Sequence, residues 1–295
     1  MRRPFFALLL IAVAPAIYAQ SGSERFAEYG QLIIAQLSSA PFPHPRRATG
    51  HTYGGRSYPV DVHYSDSSVA IFIPKGFRQA EATDFIVHVH GWWNNIDTTL
   101  SRYQLPQQLV ESGKNAILVV PEGPRNAPDS FGGKLEDAGA FKKLIEDVID
   151  VLVRQSKIKT RTIGTIILSG HSGGYRVISF ILMRGGIPEK IREVYLFDAL
   201  YGQTEKYVYW LDHYPGKMIN VFTDSGGTKE ETELLMADLE GWGIPYLLKD
   251  EVGITSDDLH KHRLIFIHTD LDHEAVMHGR SQFLQYLRAS CLRNR

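Results

Sequence analysis

The sequence predicts an α/β protein, with a mostly parallel eight-stranded sheet flanked by helices. Three observations predict it. Short apolar, β-branched runs recur along the chain, with longer amphipathic stretches between them. The later runs are far enough apart for the crossover connections that parallel pairing needs. The length of 295 residues, with 43% apolar and 22% charged content, suits one large α/β domain.

The elements follow in chain order. Residues 25–37 place Phe26, Tyr29, Ile33 and Leu37 at helical spacing and read as a helix. Pro41, Pro43 and Pro45 break it and form a lead-in segment. Residues 58–64 and 68–74 read as an antiparallel pair, joined by the turn Ser65-Asp66-Ser67. Residues 85–90, 115–120, 163–168, 193–197, 218–222 and 264–267 supply the other six strands. Residues 137–153 form an amphipathic helix whose apolar stripe is Phe141, Leu144, Ile145, Val148, Val151 and Leu152. Further helices fit residues 177–183, 229–240 and 280–292. Residues 202–216, rich in Tyr and Trp, and residues 242–262 read as lid segments or ordinary surface loops on a single domain spanning 20–295.

Composition excludes several roles. A net charge of −1 gives no basis for binding nucleic acid or an anionic membrane surface. Cys291 is the single cysteine, so an intrachain disulfide or a cysteine metal cluster is impossible. It falls in the expected last helical turn, a poor place for a catalytic thiol. Residues 1–19 have the form of a signal peptide: Arg2 and Arg3, a short apolar core from Phe5 to Ala14, and small Ala19 before the cleavage point. The core is short for a membrane span. The expectation is a secreted or periplasmic protein with no stable membrane anchor after cleavage.

The most specific local signal is Gly170-His171-Ser172-Gly173-Gly174. It follows a buried strand and precedes a buried helix, which is the context of a nucleophile elbow. The turn holds its serine in a strained backbone conformation, and glycine relieves the crowding on either side. A serine hydroxyl is a poor nucleophile at neutral pH and needs a neighbouring base.

With this elbow after the fifth strand and acid and base candidates after later strands, the chain resembles the α/β-hydrolases over most of its length. The resemblance implies a Ser-His-Asp triad in that order and a backbone oxyanion hole, with no cofactor. It implies hydrolysis of an ester or amide in a small-molecule or peptide substrate, without naming one. Ser172 is the expected nucleophile. The base belongs in the loop after the last strand, where His273 is preferred over His268 and His278. The acid follows the sixth or seventh strand, with Asp198 preferred over Asp224. Asp198 leaves an apolar strand and needs a partner, whereas Asp224 sits in a Ser-Gly-Gly turn where Asp is common anyway. One oxyanion donor would be Gly173. The second would come from His90-Gly91-Trp92-Trp93, as Gly91 or Trp92. That segment is similar to the His-Gly lead of lipases and esterases but lacks their further glycines.

Other readings stay open at this point. His88 and His90 alternate on a strand and could hold a metal with Asp198, His268 and His273. The chain could also be a non-catalytic binding protein on a hydrolase scaffold. Trp92, Trp93, Tyr201, Tyr207, Tyr209 and Trp210 read as an aromatic rim or a packed lid. Lys134 or Arg125 could meet a substrate carboxylate or be solvated surface charge.

Overall fold

A computed structural model describes residues 24–295. The expected signal peptide lies outside the described residues. The strands are β1 (Gly30–Gln36), β2 (His51–Tyr53), β3 (Arg56–Tyr58), β4 (Ser68–Pro74), β5 (Thr83–Val89), β6 (Ile117–Pro121), β7 (Ile163–His171), β8 (Ile191–Phe197), β9 (Lys217–Thr223), β10 (Leu247–Asp250) and β11 (Leu264–Thr269). Nine of them form one sheet in the order β1-β4-β6-β5-β7-β8-β9-β11-β10, and β2 and β3 form a separate hairpin. Only β4 runs against the rest, pairing antiparallel with both β1 and β6. All the other pairs in the sheet are parallel.

The central strands are buried on both faces, so their sequences are apolar at successive positions. Alternation then sorts the side chains into two layers. Phe85, Val87 and Val89 face the helices Ala140–Arg154, Tyr175–Arg184, Thr204–His213 and Lys229–Gly241. Ile86 faces the other way, toward the helices Ile96–Arg102, Leu105–Ser112 and Gln282–Arg288. The stripe foreseen on the first of these helices is its buried face: Phe141, Leu144, Ile145, Val148 and Leu152 are fully covered. A third, smaller cluster of Phe42, Tyr58, Tyr64, Ala127 and Phe131 packs the lead-in segment onto the loop after β6.

Several expectations need correction. Residues 25–37 are not a helix: a short 3-10 turn at Glu24–Phe26 leads into β1. Its Leu32-Ile33-Ile34 run satisfies either period, and pairing along all of β4 decides for the strand. Residues 58–64 are not a strand. Tyr58 ends β3, Pro59 caps a single helical turn at Val60–His63, and the antiparallel partner of β4 is β1 instead. The sheet therefore has nine strands, not eight. The extra strand, β10, lies in the stretch 242–262 and pairs only with β11, at the sheet edge. The stretch 202–216 contains the helix Thr204–His213, whose Tyr207 and Trp210 are core side chains and not rim. Cys291 follows the last helix, and its N–H donates to Glu193 Oε1 at 2.7 Å, near the start of β8. That is the end of the sheet away from the Ser172 turn.

Candidate active site

The carboxyl ends of β5, β7, β8 and β11 bring the candidate residues to one edge of the sheet. Ser172 follows β7 with a φ of +53°, a left-handed conformation that a non-glycine residue holds only under constraint from its surroundings. The constraint is close packing. A Cβ at Gly170 would meet Ile178 Cδ1 at 2.6 Å, and one at Gly174 would meet Val89 O at 2.6 Å. Gly91, at the end of β5, is pressed against the elbow from the other side. A Cβ there would stand 2.5 Å from Ser172 Cβ and 3.1 Å from Gly173 N. The His90-Gly91-Trp92 segment therefore lies directly beside the Gly173 amide. The Trp93 N–H is already committed to Ala127 O, which leaves Gly91 and Trp92 as the second amide donor. Trp92 is held in turn by its ring N–H, which donates to Ser130 Oγ at 2.8 Å.

The structure pairs His273 with Asp198 and not with Asp224. His273 Nδ1 is 2.6 Å from Asp198 Oδ2. Asp198 is fully buried and also accepts from Thr223 Oγ1 at 2.9 Å, from Thr228 Oγ1 and from the Thr223 N–H at 3.3 Å. Burial alone would raise its pKa. The hydrogen bonds from His273, Thr228 and Thr223 outweigh burial and hold the carboxyl below the usual carboxylate range. Gly226 permits this enclosure, since a Cβ there would fall 1.7 Å from Asp198 Oδ2. The turn Thr223-Asp224-Ser225-Gly226-Gly227-Thr228 thus serves Asp198. Asp224 itself is exposed, bonded to Lys229 Nζ at 2.7 Å and to His268 Nε2 at 3.1 Å.

The base loop is positioned from below. The His171 ring lies 4.6 Å from the His273 ring, and its Nε2 meets the His273 carbonyl at 2.7 Å. With Nε2–H as donor, Nδ1 accepts from Tyr103 O–H at 3.0 Å, and that phenol accepts from Asn94 Nδ2 at 3.1 Å. One chain of hydrogen bonds therefore ties the Gly91–Asn94 segment to the His273 loop. Burial first, and the neighbouring His273 second, push the His171 pKa down to about 4, so it stays neutral. Tyr201 closes the other side: its hydroxyl donates to Gly226 O, the Ser172 hydroxyl faces it, and its ring stands edge-on to His273 at 6.4 Å. Tyr103, His171, Thr223 and Thr228 carry no catalytic signature in sequence. Thr223 and Thr228 flank the Ser-Gly-Gly turn that holds Asp224, and nothing local in that turn points to Asp198.

The remaining candidates lie elsewhere. His268 sits between Asp250, at 3.0 Å from Nδ1, and Asp224. His278 packs its ring 6.1 Å from Tyr103. His88 Nδ1 bonds Ser169 Oγ at 3.0 Å; His90 Nδ1 meets Gly91 O at 2.8 Å and its Nε2 accepts from the Gly123 N–H at 2.9 Å. The five-residue metal set is not brought together, and among the described residues no group of three or more His, Cys, Asp or Glu is placed to hold a metal. Lys134 donates to Ser38 O and Arg125 to Asp66, so neither side chain reaches the elbow.

The fold is that of the α/β-hydrolases. The feruloyl esterase module from Clostridium thermocellum, complexed with sinapinate, aligns over 97% of this chain and 96% of its own, with a TM-score of 0.56 at 12% identity. A fluorophosphonate-binding serine hydrolase from Staphylococcus aureus aligns over 89% of this chain and 99% of its own, with a TM-score of 0.51 at 13% identity. An S-formylglutathione hydrolase from Staphylococcus aureus aligns over 88% and 98%, with a TM-score of 0.52 at 12% identity. No family model matches the sequence, and a comparison with curated proteins returns no match.

Proposed function

We propose that this protein is an exported serine hydrolase that cleaves an ester through an acyl-enzyme on Ser172. The observation that carries the reading is the 2.6 Å contact between His273 Nδ1 and buried Asp198, in the loop that packs against the strained Ser172 turn. Ser172 Oγ attacks the substrate carbonyl while His273 Nε2 takes its proton. Asp198 holds Nδ1–H and stabilises the imidazolium. The N–H of Gly173 and that of Trp92 or Gly91 receive the charge on the carbonyl oxygen. Collapse breaks the bond to the leaving group, which takes the proton from His273. Water then attacks the acyl carbonyl with His273 again as base, releasing the acid and restoring Ser172.

Intact-mass analysis after fluorophosphonate treatment, followed by peptide mapping, tests the reading. One adduct on Ser172, with loss of ester turnover in Ser172→Ala, is the expected result. Folded protein that takes no adduct and turns over no ester would overturn it. The export component rests on residues 1–19, and the N-terminal sequence of protein recovered outside the cytoplasm tests it: a start at Gln20 is expected.

A further inference from the structure

A cavity of about 340 Å³ opens beside the oxyanion segment, lined by Arg46, Arg47, Arg176, Tyr53, Trp92 and Tyr175 among others. It lies next to the Ser172 turn, with Tyr175 and Arg176 of the following helix in its wall. Trp92 and Ser130 both line it, and both sit against Gly173: a Cβ there would meet Ser130 Oγ and Trp92 Cδ1 at 2.7 Å each. Its floor is Phe131, which is 4% exposed. Three guanidinium groups converge on that one ring, with Arg47 at 4.7 Å from the centroid, Arg46 at 5.7 Å and Arg176 at 5.9 Å.

Such a gathering of like charge needs compensation, and the protein supplies only part of it. Buried Asp129 takes Arg47 Nε at 2.7 Å, and buried Glu136 takes Arg176 Nε at 2.6 Å and its terminal nitrogen at 2.9 Å. Arg46 has no carboxylate partner among the described residues. Arg47 and Arg176 both line the cavity and each has N–H groups beyond those its carboxylate takes, since a guanidinium carries five. The cavity thus has an excess positive charge and planar donor forks, which match an oxyanion.

The arginines are also held in place. Pro45–Arg47 is a short helical turn capped by His44 and preceded by fully buried Phe42. The hairpin of β2 and β3 folds over next to it, with Tyr53 edge-on to Trp92 at 5.0 Å and Tyr58 edge-on to Trp93 at 5.6 Å. The walls are therefore aromatic and the lip is cationic.

We infer that this cavity is a subsite for an oxyanion-bearing aromatic group of the substrate, a carboxylated ring above all. The assignment rests on the hydrolase reading for its role in turnover, but the binding itself does not. The test is calorimetric titration of the full mature protein with 1-naphthoate and, separately, with its neutral counterpart 1-naphthamide. Naphthoate should bind about tenfold tighter, a step of about 1.4 kcal/mol, and that preference should fade with added salt. Arg46→Glu should abolish the preference and Arg46→Lys should retain part of it. Arg46 is exposed, so both variants should fold, and circular dichroism checks this.

Equal affinity for the two ligands, binding of neither, or a preference unchanged by Arg46→Glu would each overturn the subsite. Kinetics give the second arm. The ratio of kcat/KM for 4-acetoxybenzoate over 4-acetoxybenzamide, and for the 4-nitrophenyl ester of 4-carboxybenzoate over that of benzoate, should exceed one in at least one pair. That pair identifies the side of the scissile bond that enters the cavity, and its ratio should fall in Arg46→Glu. Ratios of one or below in both pairs, alongside Ser172-dependent turnover, would overturn the subsite and leave the hydrolase standing. Selective naphthoate binding without any fluorophosphonate adduct would do the reverse.

Discussion

Replacing Asp198 with Asn probes the most specific contact in the site. The carboxylate is fully buried and faces only donors: His273 Nδ1, the Thr223 and Thr228 hydroxyls and the Thr223 N–H. Asn has nearly the same volume, so the packing stays intact. It replaces one acceptor oxygen with an NH₂ group, and either orientation fails. Turned toward His273, the amide donates to Nδ1 and forces the imidazole proton onto Nε2, where it cannot accept from Ser172. Turned toward Thr228, it sets its own hydrogens against the Thr223 N–H, which can only donate, and the charge that stabilises the imidazolium is gone. The wrong tautomer costs about 10,000-fold in kcat, which is about 5 kcal/mol of barrier. Asp224→Asn is the matched control. Asp224 is exposed and bonded to Lys229 and His268, and its loss should change kcat by less than about twofold. The assay is steady-state hydrolysis of 4-nitrophenyl acetate together with the rate of fluorophosphonate labelling at Ser172. Asp198→Asn within tenfold of the parent, with Asp224→Asn falling by orders of magnitude, would refute the pairing.

Other expectations follow from the same geometry. Gly91→Ala places a Cβ 2.5 Å from Ser172 Cβ and 2.9 Å from His171 O, and a displaced elbow should slow labelling of Ser172 about a hundredfold. Thr228→Val removes a hydroxyl from buried Asp198 and should cost about 1–3 kcal/mol in urea unfolding. His171 is held near 4 by burial and by His273, against about 6.5 in an unfolded chain. Between those values the unfolded state binds a proton that the native state does not, so stability should fall as pH drops through that window. A flatter urea midpoint against pH in His171→Gln checks this. His268 has a raised pKa, with its bond to Asp250 as the largest cause, burial opposing, and Asp224 adding. Its contribution is full below about 6.5 and is lost as pH rises through its folded value. Hydrogen-exchange protection of Leu247–Asp250, corrected for intrinsic rates, should weaken across that rise in the parent and stay level in His268→Gln.

The strands that build the centre of the sheet were legible because both of their faces are buried, which leaves an unbroken apolar run in sequence. The edges were not. β1 buries only Leu32 and Ile33, one into each layer, and its Leu32-Ile33-Ile34 run fits a helix as well as a strand until β4 is beside it. β10 is half-exposed along its length and has no apolar run to read. Pro59 was visible in the sequence, but the partner of β4 was not, because it lies 44 residues before it at Gly30↔Pro74, narrowing to 32 at Gln36↔Ser68, rather than across the nearest turn.

The same division runs through the site. The glycines about Ser172, the position of His273 after the last strand and that of Asp198 after the sixth could be read locally, because an elbow and a strand end are local objects. The sequence left His273 with two acids to choose from, and the contact with Asp198 spans 75 residues. Thr223, Thr228 and Gly226 join that choice only when β8 and β9 lie side by side. His171 was visible as a motif residue, yet its hold on the His273 carbonyl exists only in the folded chain. The sequence by itself determined the repeating strands and helices and the strained serine turn, since these depend on neighbouring residues. Only the tertiary structure decided which acid faces the histidine and that three arginines from separate segments meet over Phe131, because both depend on contacts between parts of the chain that packing alone brings together.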